Sequence, residues 1–223
     1  SIRRQRQMCI RDSIGHGREQ VGPAVAEVAE QLGRSIDTAI QEQQNGTGHA
    51  VQCAMEKLEG FEGTVVVTNA DVPLLSPETL QELTATHDGA SVTVLSVNQD
   101  NPTGYGRILR TNDGMVTAIV EEKDATEKQK AITEVNSGVF AFDAAILRDG
   151  LAQLNTDNAQ GELYLTDVLS IARRAGHPVR AHIAADAAEL AGVNDRVQLA
   201  AAGAELNRRT VAAAMRGLSL IHI

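Results

Sequence analysis

The chain has 223 residues, 43% apolar and 22% charged, a balance ordinary for a globular domain. Its formal charge of −9 argues against a phosphate-backbone binder, and five aromatic rings without a Trp argue against a stacking platform for single-stranded nucleic acid. Two cysteines make neither a disulfide framework nor a zinc site, no apolar run approaches a membrane span, and a reducing, cytoplasmic setting is expected.

Residues 1–13, SIRRQRQMCIRDS, carry four Arg against one acid, without a strand or helix period and without the apolar core of a secretory signal. They read as a non-native or disordered segment rather than a basic binding arm, and residues 219–223 (SLIHI) read the same way. The domain proper is therefore expected over 14–218.

Within it, Pro23 is expected to open a helix at its first position, with Val21, Val25, Val28 and Leu32 at helical spacing and Gly33 as the stop. Residues 36–40 form a short strand candidate. The segment 46–50, GTGHA, opens a second helix with Val51, Ala54, Met55 and Leu58 on its apolar side. The run 64–68, TVVVT, predicts a strand buried on both faces of a parallel sheet. Ser76-Pro77 predicts an N-cap and first turn of a helix to about 87, followed by a strand over 91–97. Residues 108–110 and 115–122, joined through Asp113-Gly114, predict an antiparallel hairpin. A short polar helix near 126–131, a strand over 134–142, helices near 143–154 and 164–175, a strand over 179–183 and an Ala-rich helix near 195–216 complete the order. Alternating strands and helices predict one α/β domain with a mixed, mostly parallel sheet covered by helices.

In such a sheet ligands bind beyond the carboxyl ends of the strands. Three polar clusters fall there. Asn69-Ala70-Asp71 follows the apolar run, and Asp71 is either a ligand for Mg²⁺ beside phosphates or a simple cap. Gln44 to His49 joins a strand to a helix whose N-terminus suits an anion, although glycine-rich turns before helices are common and no Walker A lysine follows. Pro102 to Arg107 is either a tight loop or one that presents backbone to a sugar. The six His show no paired metal spacing, no nucleophile elbow is present, and Cys53 reads as a core residue. The charged run Glu121 to Asp124 reads as a solvated edge that could supply one ligand carboxylate.

From about residue 14 to 218 these clusters occur in a recognisable order: QNGTGHAV (44–51), VVVTNADVPLL (65–75), PTGYGRILR (102–110), IVEEKDAT (119–126), EVNSGVFAFD (134–143), NAQGELYLTDV (158–168) and GVNDRVQLA (192–200). Their order resembles the uridyltransferase domain of the bacterial bifunctional N-acetylglucosamine-1-phosphate uridyltransferase/glucosamine-1-phosphate acetyltransferase family, actinobacterial members above all. The resemblance implies a Rossmann-like three-layer α/β/α nucleotide-diphospho-sugar transferase fold. It implies condensation of UTP with N-acetylglucosamine 1-phosphate to UDP-N-acetylglucosamine and pyrophosphate, a peptidoglycan precursor step, with Mg²⁺ as cofactor. By the same resemblance Asp71 and Asn194 hold the metal, Gln41, Gly46 and Thr47 bind uracil, and Asn69 and Ala70 contact the nucleoside. Gly106, Glu121, Asn136 and Thr166 would hold the sugar and its phosphate.

The family opens with a strand and a glycine-rich L-A-A-G-x-G-T-R-M loop, followed by a Pro-Lys, which binds the triphosphate. It ends in a hexapeptide-repeat β-helix that trimerises. Neither pattern occurs in this sequence, so an N-terminally truncated domain with impaired turnover is expected, from a parent that is a homotrimer. Two alternatives remain: a nucleotide-sugar binding module without catalysis, and a related enzyme for another sugar or nucleotide.

Overall fold

The computed structural model describes residues 9–217, so the readings of 1–8 and 219–223 lie outside the described residues. The chain runs β1 (Ile10–Ile14), α1 (Arg18–Leu32), β2 (Ile36–Ile40), α2 (Thr47–Glu56), β3 (Thr64–Val67), α3 (Pro77–His87) and β4 (Val92–Asn98). It continues with β5 (Arg107–Arg110), β6 (Val116–Val120), α4 (Glu127–Lys130), β7 (Glu134–Asp143), α5 (Ala144–Leu151), α6 (Asp167–Arg174) and β8 (Val179–Ile183). A 3₁₀ turn (Ala187–Leu190) and α7 (Arg196–Arg216) complete it.

Local chemistry explains the starts. Ser76 accepts the Thr79 N–H at 3.1 Å and places Pro77 at N1, where its missing N–H is harmless. Asp143 caps α5, and α4 and α7 begin with capping boxes, Thr126 with Gln129 and Asp195 with Gln198.

β4 is central because Val92 and Val94 face one way and Leu95 and Val97 the other, all almost fully buried. On one side these join Ile108, Ile119, Phe140 and Phe142 beneath α2, α5 and α6. On the other, Val135, Val139 and Ala141 meet Leu83 of α3 and Leu190 of the 3₁₀ turn. The result is helix, sheet, helix, as expected.

Among the described strands, the larger sheet has the order β6-β5-β7-β4-β8, with β3 also paired to β7. β3, β4, β5 and β8 share one direction, while β6 and β7 oppose it. Most strands are thus co-directional, yet most neighbouring pairs are antiparallel, because β7 lies between β4 and both β3 and β5.

Three expectations change. β1 pairs parallel with β2 from Ile10↔Ile36 to Ile14↔Ile40, so the strand reaches into the segment set aside as non-native or disordered. Its alternation is hidden by Arg11 and Asp12, and Arg11 forms an ion pair with Asp37 across the ladder. Pro23 lies inside α1, not at its start: Arg18 begins the helix after Gly17 at φ 69, and the turn absorbs one lost bond. β3 is not buried on both faces. Val65 and Val67 pack on the first core, but Val66 is 39% exposed, and β3 runs antiparallel to β7.

Candidate active site

One cleft of about 440 Å³ opens between the carboxyl end of β3 and the amino end of β5. It collects Thr47 from the start of α2, Asn69 and Asp71 after β3, and Gly106 and Glu121 at the mouth of the β5–β6 hairpin. Asn136 from β7, Thr166 before α6 and Asn194 before α7 complete the set. Eight of the eleven expected site residues therefore meet around one space.

Strand register builds one wall. Arg107 pairs with Val120 and with Val135, so these three residues share a sheet face. One step on, Gly106, Glu121 and Asn136 share the opposite face, and the Asn136 N–H donates to the Gly106 carbonyl at 2.8 Å. A Cβ on Gly106 would lie 3.2 Å from Glu121 Oε2 and 3.0 Å from Ile119 Cγ2, so glycine here keeps that carboxylate in place. Thr166 Oγ1 donates to Glu121 Oε1 at 3.1 Å, leaving the second carboxylate oxygen to the cleft. Burial pushes the Glu121 carboxyl above the usual range; the Thr166 hydrogen bond opposes this, and Asp167 and Asp124 add to it. Asn136 Oδ1 accepts from Gly138 N at 3.0 Å, which points its amide NH₂ outward as a donor. Gly138 has φ 79, and a Cβ there would collide with the Asn69 amide, so a left-handed glycine seats Asn69 against β7.

The facing wall carries an acid and an amide. Val193 N–H donates to the Asp71 carbonyl at 2.8 Å, stitching the loop before α7 to the loop after β3. A Cβ on Gly192 would stand 3.3 Å from Asp71 Oδ2 and 3.6 Å from Asn194 Nδ2, so both side chains converge on the hollow that this glycine leaves. Gln198 Oε1 accepts from the N–H groups of Asn194, at 2.6 Å, and Asp195, at 3.2 Å.

Three expected residues do not line the cleft. Gln41 and Gly46 are joined to each other, Gln41 Nε2 donating to Gly46 O at 3.0 Å, and meet the cleft only through Thr47, the neighbour of Gly46 in the chain. Ala70 instead borders a separate apolar hollow of about 560 Å³ among β1, α1 and β2. The α2 N-terminus is also less open than an anion site requires. Gly48 N–H is taken by Leu163 O at 2.8 Å, and a Cβ on Gly46 would be 2.7 Å from that same carbonyl. These glycines answer a close approach of the 162–165 segment. The wall residues Gly138, Gly192 and Gln198 went unnoticed in sequence; their signal was two glycines beside candidate ligands and the Asp195-x-x-Gln198 capping spacing.

A family model described as nucleotidyl transferase matches residues 19–188. A protein of Corynebacterium jeikeium named bifunctional protein GlmU is 98% identical over 204 residues, covering 92% of this chain and 42% of its own. A namesake from Corynebacterium efficiens is 73% identical over 206 residues, and one from a Mycobacterium species 58% over 210, each again over 42% of its length. The chain thus spans less than half of these relatives. Among solved structures, UDP-glucose pyrophosphorylase complexed with UDP-glucose superposes with a TM-score of 0.59 at 16% identity, over 75% of this chain and 69% of that one. A putative glucose-1-phosphate thymidylyltransferase from Bacillus anthracis gives 0.59 at 19% identity, over 86% and 74%. At these identities the two structures speak to the fold alone.

Proposed function

The chain belongs to the nucleotidyl transferase family, and from that premise we propose that it is a uridyltransferase domain of a cytoplasmic enzyme. It would join UTP and N-acetylglucosamine 1-phosphate into UDP-N-acetylglucosamine and pyrophosphate. The observation that carries this reading is the pairing, across one cleft, of an acid–amide wall (Asp71, Asn194) with a hydroxyl-reading wall (Gly106, Glu121, Asn136, Thr166).

A phosphate oxygen of the sugar phosphate attacks the α-phosphorus of UTP, forming one P–O bond as the bond to the β-phosphate oxygen breaks and pyrophosphate leaves. No covalent enzyme intermediate is needed, so the protein's part is positioning and charge balance. Glu121 Oε2 accepts from sugar hydroxyls, the Asn136 amide donates, and the bare backbone of Gly106 lets the ring lie close. Thr47, Gln41 and Gly46 lie at the uracil end. Gln41, whose Nε2 is held by Gly46 O and His49 Nδ1, would offer its Oε1 to an imide N–H. Asn69, beyond the carboxyl end of β3, would contact the nucleoside, with Ala70 its neighbour in the chain.

Asp71 and Asn194 fit a divalent cation. Both offer hard oxygens, and the hollow over Gly192 is one that a Cβ would fill. Two protein ligands with one charge suit Mg²⁺, whose remaining positions go to phosphate and water, and which when bound would neutralise charge on the triphosphate. Assembly of the parent as a homotrimer belongs to the same reading.

Pyrophosphate release from UTP, N-acetylglucosamine 1-phosphate and Mg²⁺ tests it, with other sugar phosphates and nucleotides as comparison substrates. Asp71→Ala is expected to lower the Mg²⁺-dependent rate by roughly 10²–10³. A rate equal to that of the parent chain would remove Asp71 from the metal site.

A further inference from the structure

Arg107, at the start of β5, has no role in the substrate reading above, yet its side chain is 1% exposed. A guanidinium is rarely buried so completely unless its neighbours hold it. Of its three partners, Lys130 and Glu122 do not line the cleft, while Tyr105 belongs to the cleft wall. It donates to the Tyr105 carbonyl, to the Lys130 carbonyl from Nε at 3.4 Å and Nη2 at 3.3 Å, and pairs with Glu122 Oε2 at 2.7 Å.

Those partners flank the cleft wall. Tyr105 belongs to the loop 103–106 that forms part of it, and Glu122 adjoins Glu121. The β5–β6 ladder stops at the Arg107–Val120 pair, so its register points Glu121 towards the cleft only by continuation past the last pair and leaves Glu122 without a strand partner. One must enter the cleft and the other must leave it. Glu121 goes to Thr166 on the cleft side, and Glu122 goes to Arg107 on the back.

We propose that Arg107 is a positioning residue of the sugar subsite: by drawing Glu122 and the Tyr105 carbonyl to the back of the sheet, it commits Glu121 to the cleft and holds the 103–106 loop as its wall. This rests on the substrate reading above. The fork of the guanidinium matters, since one group reaches two carbonyls and a carboxylate in different directions, and an ammonium at the end of a Lys stem cannot hold all three.

The test is calorimetric titration of the chain with UDP and with UDP-N-acetylglucosamine, which share a nucleotide, alongside thermal unfolding. Two variants are used: Arg107→Lys, which keeps the charge, and Arg107→Met combined with Glu122→Gln, which leaves no buried charge unpaired. The affinity ratio between the two ligands is expected to fall roughly tenfold in both variants, while UDP affinity changes by less than about twofold. Variants that lose both ligands in parallel, or lose only thermal stability, would overturn the proposal while leaving the substrate reading intact. A parent chain that binds UDP but gains nothing from the sugar would overturn the sugar assignment of the cleft, and this inference with it.

Discussion

Glu121 pays for its position. Burial, the largest influence on it, raises its carboxyl above the ordinary range, with Asp167 and Asp124 adding to the effect. A raised folded-state pKa means that the folded protein holds this proton more tightly than the unfolded chain. The associated stability is complete below the ordinary carboxylate value and is lost as pH rises through the raised one. Glu121→Gln is therefore expected to raise the unfolding midpoint at neutral pH by roughly 1–3 °C, with the gain shrinking as pH falls towards the ordinary carboxylate range. The same variant should lose the preference for UDP-N-acetylglucosamine over UDP. Differential scanning at several pH values, paired with titration, checks both halves; a midpoint that falls at neutral pH would contradict the burial argument. In sequence, Glu121 to Asp124 looks like a solvated edge, because four charged residues in a row usually are. What cannot be seen there is that the ladder ends at Val120 and that a buried Arg sorts the first two carboxylates. The position of Asp71 in the cleft was legible for a simpler reason: an acid a few residues beyond an apolar run lies in the loop past a strand end.

Elements with a chemical start signal were legible. Ser76-Pro77, Asp143 and the Thr126 and Asp195 boxes each declare a helix, and each helix begins where the signal lies. Elements defined by their neighbours were not: β1 depends on β2 for its ladder, and the depth of β3 depends on which side β7 takes. The α7 cap also does more than start a helix. Its Gln198 oxygen takes the Asn194 N–H as well as that of Asp195, so the cap sets the backbone of a candidate metal ligand. Gln198→Ala is expected to weaken divalent cation affinity roughly tenfold with UTP present, as loss of an outer partner of a metal ligand typically does, whereas Gln198→Glu should keep it by preserving the acceptor oxygen. Mn²⁺ titration followed by electron paramagnetic resonance reads this without turnover. Equal affinity in the parent and Gln198→Ala would confine Gln198 to helix capping.

At the scale of the whole chain, the described residues divide unequally. The larger sheet is buried between two helical layers, with β4 and much of β7 sealed from solvent. The unit β1–α1–β2 has its own two-stranded sheet, and α1 buries none of its residues. Val21, Val28 and Leu32 of α1 remain exposed, and α2 is the layer that touches both parts. Composition could not foretell this division, because an apolar stripe at helical spacing looks the same whether its partner surface is complete or shallow. Opening free energy follows buried apolar contact, so local opening of the β1–α1–β2 unit should precede global unfolding. Native-state hydrogen exchange is expected to show the amides of α1 and β2 exchanging at least about a hundredfold faster than those of β4 and the 139–142 stretch of β7, a gap of roughly 3 kcal/mol in opening free energy. Mg²⁺ with UTP should slow exchange around Asp71 and Asn194 while leaving the exposed face of α1 unchanged. Uniform protection across both sheets would mean that they open as one unit, with the apolar hollow beside Ala70 acting as a true core rather than a seam.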